Sequence, residues 1–539
     1  MTAVALVLLA AAIAHGAANA LRLPSMPLLI AAGFILRSTG LVEDPNMMSS
    51  LLLLGVTVLV FMAGTELNPR RFRSLGTTAL SVGLLQLLLL GAAGFLIGHL
   101  VGLDLRESSF VALALAASST FVVVRVLKKK RQFYEPYGRL VLGVLLVQDV
   151  LVVLALGALL QWDNGLQAVE SALLRSALLI AIAWVWARSI VPWLLTTLRL
   201  DDEAILIVVL AILFVFLAAA HVLDIPMITG AFAAGFAVSS FPVNAVIRGQ
   251  LTSLSDFFIA IFLTSLGASL VFPDMQGLLL ASLLIAAVVL LTPPIVATVA
   301  ERAGMTSRSS IEAGLLLAQT SEFSLVVALL AADQGYLGDS LLAAITLVTV
   351  CTMAFTQFLA TDRNAMRLLR LHPSRFRKDP EEAHREGHIL LLGCGANTEA
   401  LVLELVERGD TVLVIDDDPA VDAWVDRIGG VPLRGDALDP GVLDRASVGR
   451  ARVVISTLRR LEDNRRIVEM AGDTDVLVRV FEETEERAIR EMGAVPVRYS
   501  DAAAQAFLAW FDDPERDACG EARPVHPGRA LENEAAPSP

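Results

Sequence analysis

One aspartate stands in the middle of a long apolar run. It is Asp149, in LVLGVLLVQDVLVVLALGALL (140–160), with Gln148 beside it. A carboxylate at the centre of a membrane helix costs about 2.5–3.5 kcal/mol on insertion scales. It is kept where it faces a water-filled cavity, and the chemistry open to it there is binding of a proton or a cation. The bland alternative is pairing with a basic side chain for packing alone. Two polar clusters interrupt other apolar stretches. Ser118, Ser119 and Thr120 lie in ALAASSTFVVV, and Gln319, Thr320, Ser321 and Glu322 lie in LLLAQTSEFSLVV. Such clusters mark helices that unwind locally, because the freed backbone groups need polar partners inside a membrane. Two of them in two halves of a chain point to an inverted-repeat transporter, with half-helix dipoles meeting near the midplane. Ser and Thr bonding between helices would explain either cluster alone. Glu322 reads as an ion ligand or, more readily, as a counter-charge to positive half-helix ends. Glu66 and Asp224 fall near the ends of apolar stretches and read as interfacial, and Arg125 reads as snorkelling to the cytoplasm.

A different chemistry is written near residue 390. In LLLGCGANTEALVLELVERGDTVLVIDDDP, Gly393 and Gly395 follow a strand pattern and precede a helix pattern. Glycines there let a pyrophosphate approach the backbone at a helix N-terminus. Asp416 ends the next strand pattern, where an acid accepts from ribose hydroxyls and favours NAD or AMP-type ligands over NADP. The third glycine of the fingerprint is missing, since position 398 is Thr. Cys394 in this loop reads as a small residue in a tight turn, with a low-pKa redox thiol as the alternative.

The elements that must hold these residues divide the chain in two. Of 539 residues, 55% are hydrophobic and only 18% charged. Residues 1–361 are nearly neutral, with 18 Lys+Arg against 20 Asp+Glu, and residues 362–539 carry 24 against 35. That acidic surplus argues against a nucleic-acid partner. Three cysteines without paired spacing argue against disulfides and against a structural metal. Apolar segments near 2–20, 25–36, 50–66, 76–101, 108–127, 139–161, 169–196, 203–223, 226–240, 252–272, 276–300, 309–332 and 340–361 predict about thirteen membrane helices. The second and ninth are short, so twelve is the alternative. Basic clusters follow odd-numbered spans: Arg70, Arg71 and Arg73; Lys128, Lys129, Lys130 and Arg131; Arg302 and Arg308; Arg363, Arg367 and Arg370. The positive-inside rule therefore puts the N-terminus outside and the last third in the cytoplasm. Residues 362–387 read as a charged linker whose basic first half lies against anionic lipid. Strand patterns at 388–395, 411–418, 431–436, 451–457, 475–481 and 495–500 alternate with helices, as in a Rossmann-like α/β domain over 388–511. Residues 512–539 read as disordered.

Several blocks resemble the Kef-type family of monovalent cation/proton antiporters. They are GVTVLVFMAGTELNPRRF (55–72), ASSTFVVVRVL, GVLLVQDVLVV with the Gln148–Asp149 pair, GAFAAGFAVSSFP (230–242), FFIAIFLTSLGASL (257–270) and GLLLAQTSEFSLVV (314–327). In the last, Ser321 replaces a usual Gly. The resemblance implies a dimeric antiporter fold with crossing broken helices in an inner membrane. It implies an ion and proton site at Asp149, Gln148, Ser118, Ser119 and Thr120, with Gln319, Ser321 and Glu322 at the crossover. The Gln–Asp form implies potassium rather than sodium, exchanged one for one with a proton and so without net charge. Many relatives carry a Lys before the Glu–Phe motif. Here the stretch is Thr292, Pro293 and Pro294, and no Lys falls in spans seven to thirteen, which leaves a channel-like efflux mode open. The segment RGDALDPGVLDRASVGRARVVI (434–455) resembles the nucleotide domain of potassium-conductance regulators (RCK), whose Gly-Asp-Ala falls on Gly435, Asp436 and Ala437. That implies a regulatory AMP or NAD(H) held by Gly393, Gly395, Asp416, Asp436 and Ala437. Kef relatives are also regulated by glutathione, but no residue here carries that ligand over. An NAD-dependent oxidoreductase anchored in the membrane is the reading from another class. It lacks a substrate domain and leaves Asp149 without a role.

Overall fold

The computed structural model describes residues 2–21, 25–40, 45–66, 77–130, 136–198, 202–239, 243–303, 305–371, 386–395, 398–416, 418–498, 500, 501, 504 and 508. It divides into two compact units, Met1–Leu371 and His372–Pro539. Arg70, Arg71, Arg73, Arg131 and the tail 512–539 lie outside the described residues.

The first unit is all helical: α1 Thr2–Leu21, α2 Ser25–Ser38, α3 Pro45–Glu66, α4 Thr77–Val101, α5 Leu105–Ala116, α6 Thr120–Lys130, α7 Pro136–Leu159, α8 Leu166–Val185, α9 Val191–Leu198, α10 Asp202–Val222, α11 Met227–Ala237, α12 Val243–Ser269, α13 Met275–Arg302, α14 Ser307–Leu317, α15 Glu322–Asp333, α16 Asp339–Leu359 and α17 Asp362–Leu371. Among the described residues, nine helical segments are long and apolar enough to cross a membrane, with α5–α6, α8–α9 and α14–α15 each counted as one. Four more, Ser25–Ser38, Ser50–Glu66, Met227–Ala237 and Asp256–Ser269, are apolar but shorter. The ninth sequence segment belongs to this second group. The 11 residues of α11 rise only about 16 Å, against a hydrocarbon core of about 30 Å. Every residue of α11 from Ile228 to Ala237 is buried.

Lipid is as apolar as leucine, so helices in a membrane associate through close packing rather than through the hydrophobic effect. Glycines make that possible at two crossings. Gly64 of α3 meets the backbone of Phe232, and Gly235 of α11 meets the Phe61 carbonyl. Gly33 of α2 and Gly267 of α12 do the same at the Thr264 and Ile30 carbonyls. At each of the four, a Cβ would collide with backbone that has nowhere to go.

The linker region begins as a helix. α17 packs on α14, and its buried Ala365 belongs to the same apolar cluster as Ile311, Leu315 and Leu316. Residues 372–385 lie outside the described set.

The second unit is a six-stranded parallel sheet in the order β3-β2-β1-β4-β5-β6. Its strands are β1 Ile389–Leu392, β2 Val412–Asp416, β3 Val431–Arg434, β4 Val453–Ser456, β5 Val476–Val480 and β6 Val495–Arg498. The helices between them are α18 Glu399–Glu407, α19 Pro419–Arg427, α20 Pro440–Arg445, α21 Leu461–Ala471 and α22 Glu483–Glu491. Side chains alternate across the pleat. Leu390 and Leu392 therefore enter one core with Leu413 and Ile415, while Leu391 enters the other with Val412 and Val414. Burial on both faces is why these strands read as continuous apolar runs. Chain order reverses between β1 and β4, which opens a crevice at the strand ends where ligands of such sheets bind.

Candidate ion site and nucleotide site

Both polar clusters interrupt their helices. Between α5 and α6, Ala117 is extended (φ −106, ψ 151). Between α14 and α15, Ala318 (φ −76, ψ 52) is the centre of a tight turn in which Gln319 N–H donates to the Leu317 carbonyl at 2.8 Å. That geometry is an inverse γ-turn. Ser321 caps α15, its hydroxyl accepting from Phe323 N–H at 3.1 Å. A capping hydroxyl is what Ser offers at a place where Gly would leave that donor to other partners.

The two breaks are bonded to each other. Ser118 Oγ donates to the Leu317 carbonyl at 2.8 Å, and Ser119 Oγ donates to Glu322 Oε1 at 2.6 Å. Ser324 Oγ donates to the Ala114 carbonyl. The α7 pair joins them from the side. Gln148 Oε1 accepts from Ser118 N–H at 3.1 Å, and Asp149 Oδ2 accepts from Thr120 Oγ1 at 3.0 Å. The eight residues that the resemblance assigned to the ion site and the crossover thus gather at one junction, where all but Thr120 are buried. Thr120 and Glu322 open α6 and α15, so two positive helix ends face the Asp149 and Glu322 carboxylates. Asp149 Oδ1 and Gln148 Nε2 are buried with no partner among the described residues. Buried polar atoms are rarely left so, and an acceptor oxygen in that state suits a proton or a desolvated cation as substrate.

Sequence reasoning missed four side chains. Gln86 of α4 donates from Nε2 to Ser118 Oγ at 3.0 Å and is fully buried. A lone Gln in an apolar run was the available signal. Thr349, Thr352 and Thr356 of α16 bond the second break. Their spacing of three and four puts them on one helix face. Glu66 is half-buried at the end of α3. Asp224 is exposed, 4.0 Å from Arg175. Arg125 lies over the Phe121 ring and reaches Ser25 Oγ at 3.5 Å.

In the second unit, Gly393 follows β1 at φ +81, a conformation that favours glycine. Its carbonyl accepts from Thr457 Oγ1 at 2.8 Å, across the crevice from β4. Among the described residues other than its chain neighbours, none would come within 4 Å of a side chain at Gly395. Thr398, where the third glycine was expected, is buried, and its hydroxyl donates back to the Gly395 carbonyl at 2.8 Å. The residue that breaks the fingerprint therefore closes the loop instead. Asp416 accepts from Cys394 N–H at 2.6 Å and from Asp418 N–H at 2.9 Å. Each carboxylate oxygen keeps a second lone pair for a ribose hydroxyl. The glycine loop and this acid fit a nucleotide. Asp436 holds its own turn, accepting from Leu438 N–H at 2.9 Å, and Ala437 is buried in the core beneath. Burial pushes the Cys394 thiol up, and the charges of Asp416 and Glu399 add to that. A raised thiol pKa is the opposite of what a redox sensor needs.

Residues 4–361 match the family described as sodium/hydrogen exchanger, transmembrane, and residues 389–499 match the TrkA-N domain. The chain belongs to the sodium/hydrogen exchanger family. This exchanger is 28% identical to the iron transporter MagA of Paramagnetospirillum magneticum, over 70% of this chain and 89% of that protein. It is 26% identical to the glutathione-regulated potassium-efflux system protein KefC of Enterobacter sp., over 82% of this chain and 72% of that protein. Among solved structures, the sodium proton antiporter MjNhaP1 of Methanocaldococcus jannaschii superposes with a TM-score of 0.55. It is 14% identical and covers 68% of this chain and 97% of its own. That likeness carries the fold of the membrane unit.

Proposed function

We propose that this exchanger moves K⁺ against H⁺ across a bacterial-type inner membrane, one for one. The observation that carries the reading is Asp149, buried beside Gln148 where two interrupted helices are bonded together, with one carboxylate oxygen free for substrate. A single titrating carboxylate carries one proton or one cation per half-cycle, so the exchange moves no net charge. Gln148, Ser118, Ser119 and Thr120 shape the site. Gln319, Ser321 and Glu322 form the crossover, with Glu322 balancing two positive helix ends. Relatives are named for potassium, for sodium and for iron, and the Gln–Asp pair is the reason to choose potassium. In the proposed arrangement residues 1–361 form about thirteen membrane helices, the short buried α11 among them, with the N-terminus outside, 362–387 link, 388–511 regulate, and the protein is a homodimer.

The second unit then controls transport by binding AMP or NAD(H) through Gly393, Gly395 and Asp416. Binding regulates only if the nucleotide prefers one transport state. The packing of α17 on α14 supports a route, since α14 ends at the crossover. The deciding experiment is proton flux in proteoliposomes driven by K⁺, Na⁺ or Rb⁺, with the membrane potential clamped at several values. Electroneutral exchange gives a flux direction that ignores voltage. Strong voltage driving sinks the stoichiometry and favours the channel-like mode.

A further inference from the structure

Unwinding a helix inside a membrane frees backbone donors and acceptors that lipid cannot satisfy. The second break meets this need from one face of α16. Thr352 Oγ1 accepts from Thr320 N–H at 3.2 Å, and Thr356 Oγ1 donates to the Ala318 carbonyl at 3.1 Å. Thr349 Oγ1 lies 3.2 Å from Thr320 Oγ1. A freed donor and a freed acceptor are thus both held by one helix.

Each of these hydroxyls also has a partner in its own helix. Thr356 Oγ1 is 2.9 Å from the Thr352 carbonyl, Thr352 Oγ1 is 3.3 Å from the Thr349 carbonyl, and Thr349 Oγ1 is 3.0 Å from the Ile345 carbonyl. A hydroxyl has one proton. Thr356 can aim it at Ala318 or at Thr352, but not at both. When the break moves away, the proton falls back on the helix's own carbonyl, a bond Ser and Thr commonly make inside helices. Release therefore leaves the three α16 hydroxyls bonded within their own helix, while the Thr320 N–H and the Ala318 carbonyl take new partners.

We propose that Thr349, Thr352 and Thr356 form a releasable latch, which positions the unwound segment 318–321 in one transport state and lets it go in the other with the three α16 hydroxyls still bonded within their own helix. They are positioning residues and do not touch the substrate. The inference rests on the antiporter reading only for its link to transport.

The test is the double variant Thr352→Val, Thr356→Val, which keeps the shape and removes both hydroxyls, compared with Thr352→Ser, Thr356→Ser, which restores them. Two readouts are taken on the full chain, with folding checked by size exclusion. The first is K⁺-driven proton flux against cation concentration and pH. The Val pair is expected to change the half-saturating cation concentration by about three- to tenfold, equivalent to about 0.7–1.4 kcal/mol, and to displace the pH profile, while the Ser pair behaves as wild type. The second is amide hydrogen exchange in peptides covering 314–327, which should be faster in the Val pair whether or not the protein transports. Unchanged hydrogen exchange in the Val pair overturns the latch, and so does a Ser pair that fails as the Val pair does. Faster exchange with no transport by wild-type protein leaves the latch standing and removes the antiporter reading.

Discussion

Replacing Asp149 by Asn tests the centre of the reading with the least disturbance to the fold. The two side chains have nearly the same volume, and the amide oxygen can still accept from Thr120, which now bonds Asp149 Oδ2 at 3.0 Å. The bond passes from charge-assisted to neutral, a loss of about 1 kcal/mol. The desolvation cost of a buried charge disappears at the same time, so folding and assembly should be retained. The substrate sees a much larger change. A cation about 3 Å from the carboxylate, at an effective dielectric of about 20, gains about 5–6 kcal/mol from the charge. Removing that charge lowers cation occupancy by roughly 10⁴-fold, and an amide takes up no proton at any working pH. The expected outcome is K⁺-driven proton flux at the level of empty liposomes, with a wild-type elution profile. The assay is a potassium pulse on proteoliposomes holding a pH-sensitive dye. Exchange by Asp149→Asn within tenfold of wild type at saturating cation would refute the reasoning and move the coupling group elsewhere, with Glu322 and Glu66 the next acids to replace.

Asp416→Ala should weaken AMP or NAD(H) binding to the full-length protein by tenfold or more, on the order of the loss of one or two charge-assisted bonds. Calorimetry reads it, and ion selectivity should not change; wild-type protein that binds neither ligand at millimolar concentration removes the regulatory role. Cys394, measured in a Cys351→Ser, Cys519→Ser background, should react with maleimide more slowly than a free thiol at pH 7–8. Because burial raises its pKa, the thiolate accumulates only above the ordinary thiol range of about 8.5, so reactivity should rise late with pH. Fast labelling at pH 7 would restore the redox-sensor alternative. Gly235→Ala should lower the thermal midpoint, because its methyl meets the Phe61 carbonyl at a cost of about 1–3 kcal/mol. An unchanged midpoint would mean that α3 and α11 do not cross as closely as described.

Much of the chain was legible because membranes and parallel sheets impose one-dimensional patterns. Length and apolarity marked the spans, since every backbone group in lipid must be satisfied within a helix. Asp149 was visible because a midspan carboxylate is costly, and the two hydroxyl clusters because unwound backbone needs polar company. Buried strands showed as apolar runs between helices, and Gly393, Gly395 and Asp416 stood at intervals set by a strand, a turn and a helix. The sequence alone thus determined a membrane unit, an α/β unit and the residues able to do chemistry in each. Tertiary structure decided what depends on contacts between distant segments. Nothing local to Ser119 says that its hydroxyl meets Glu322, 203 positions away. Nothing in the run around Gln86 says that it supports Ser118. Thr398 was read as a defect in a motif, yet its hydroxyl closes the loop on Gly395. Periodicity reports which face of an element is buried, because burial repeats with the element's own geometry. Which partner lies on that face is fixed only when the elements pack, and the threonines of α16 acquire a role only there.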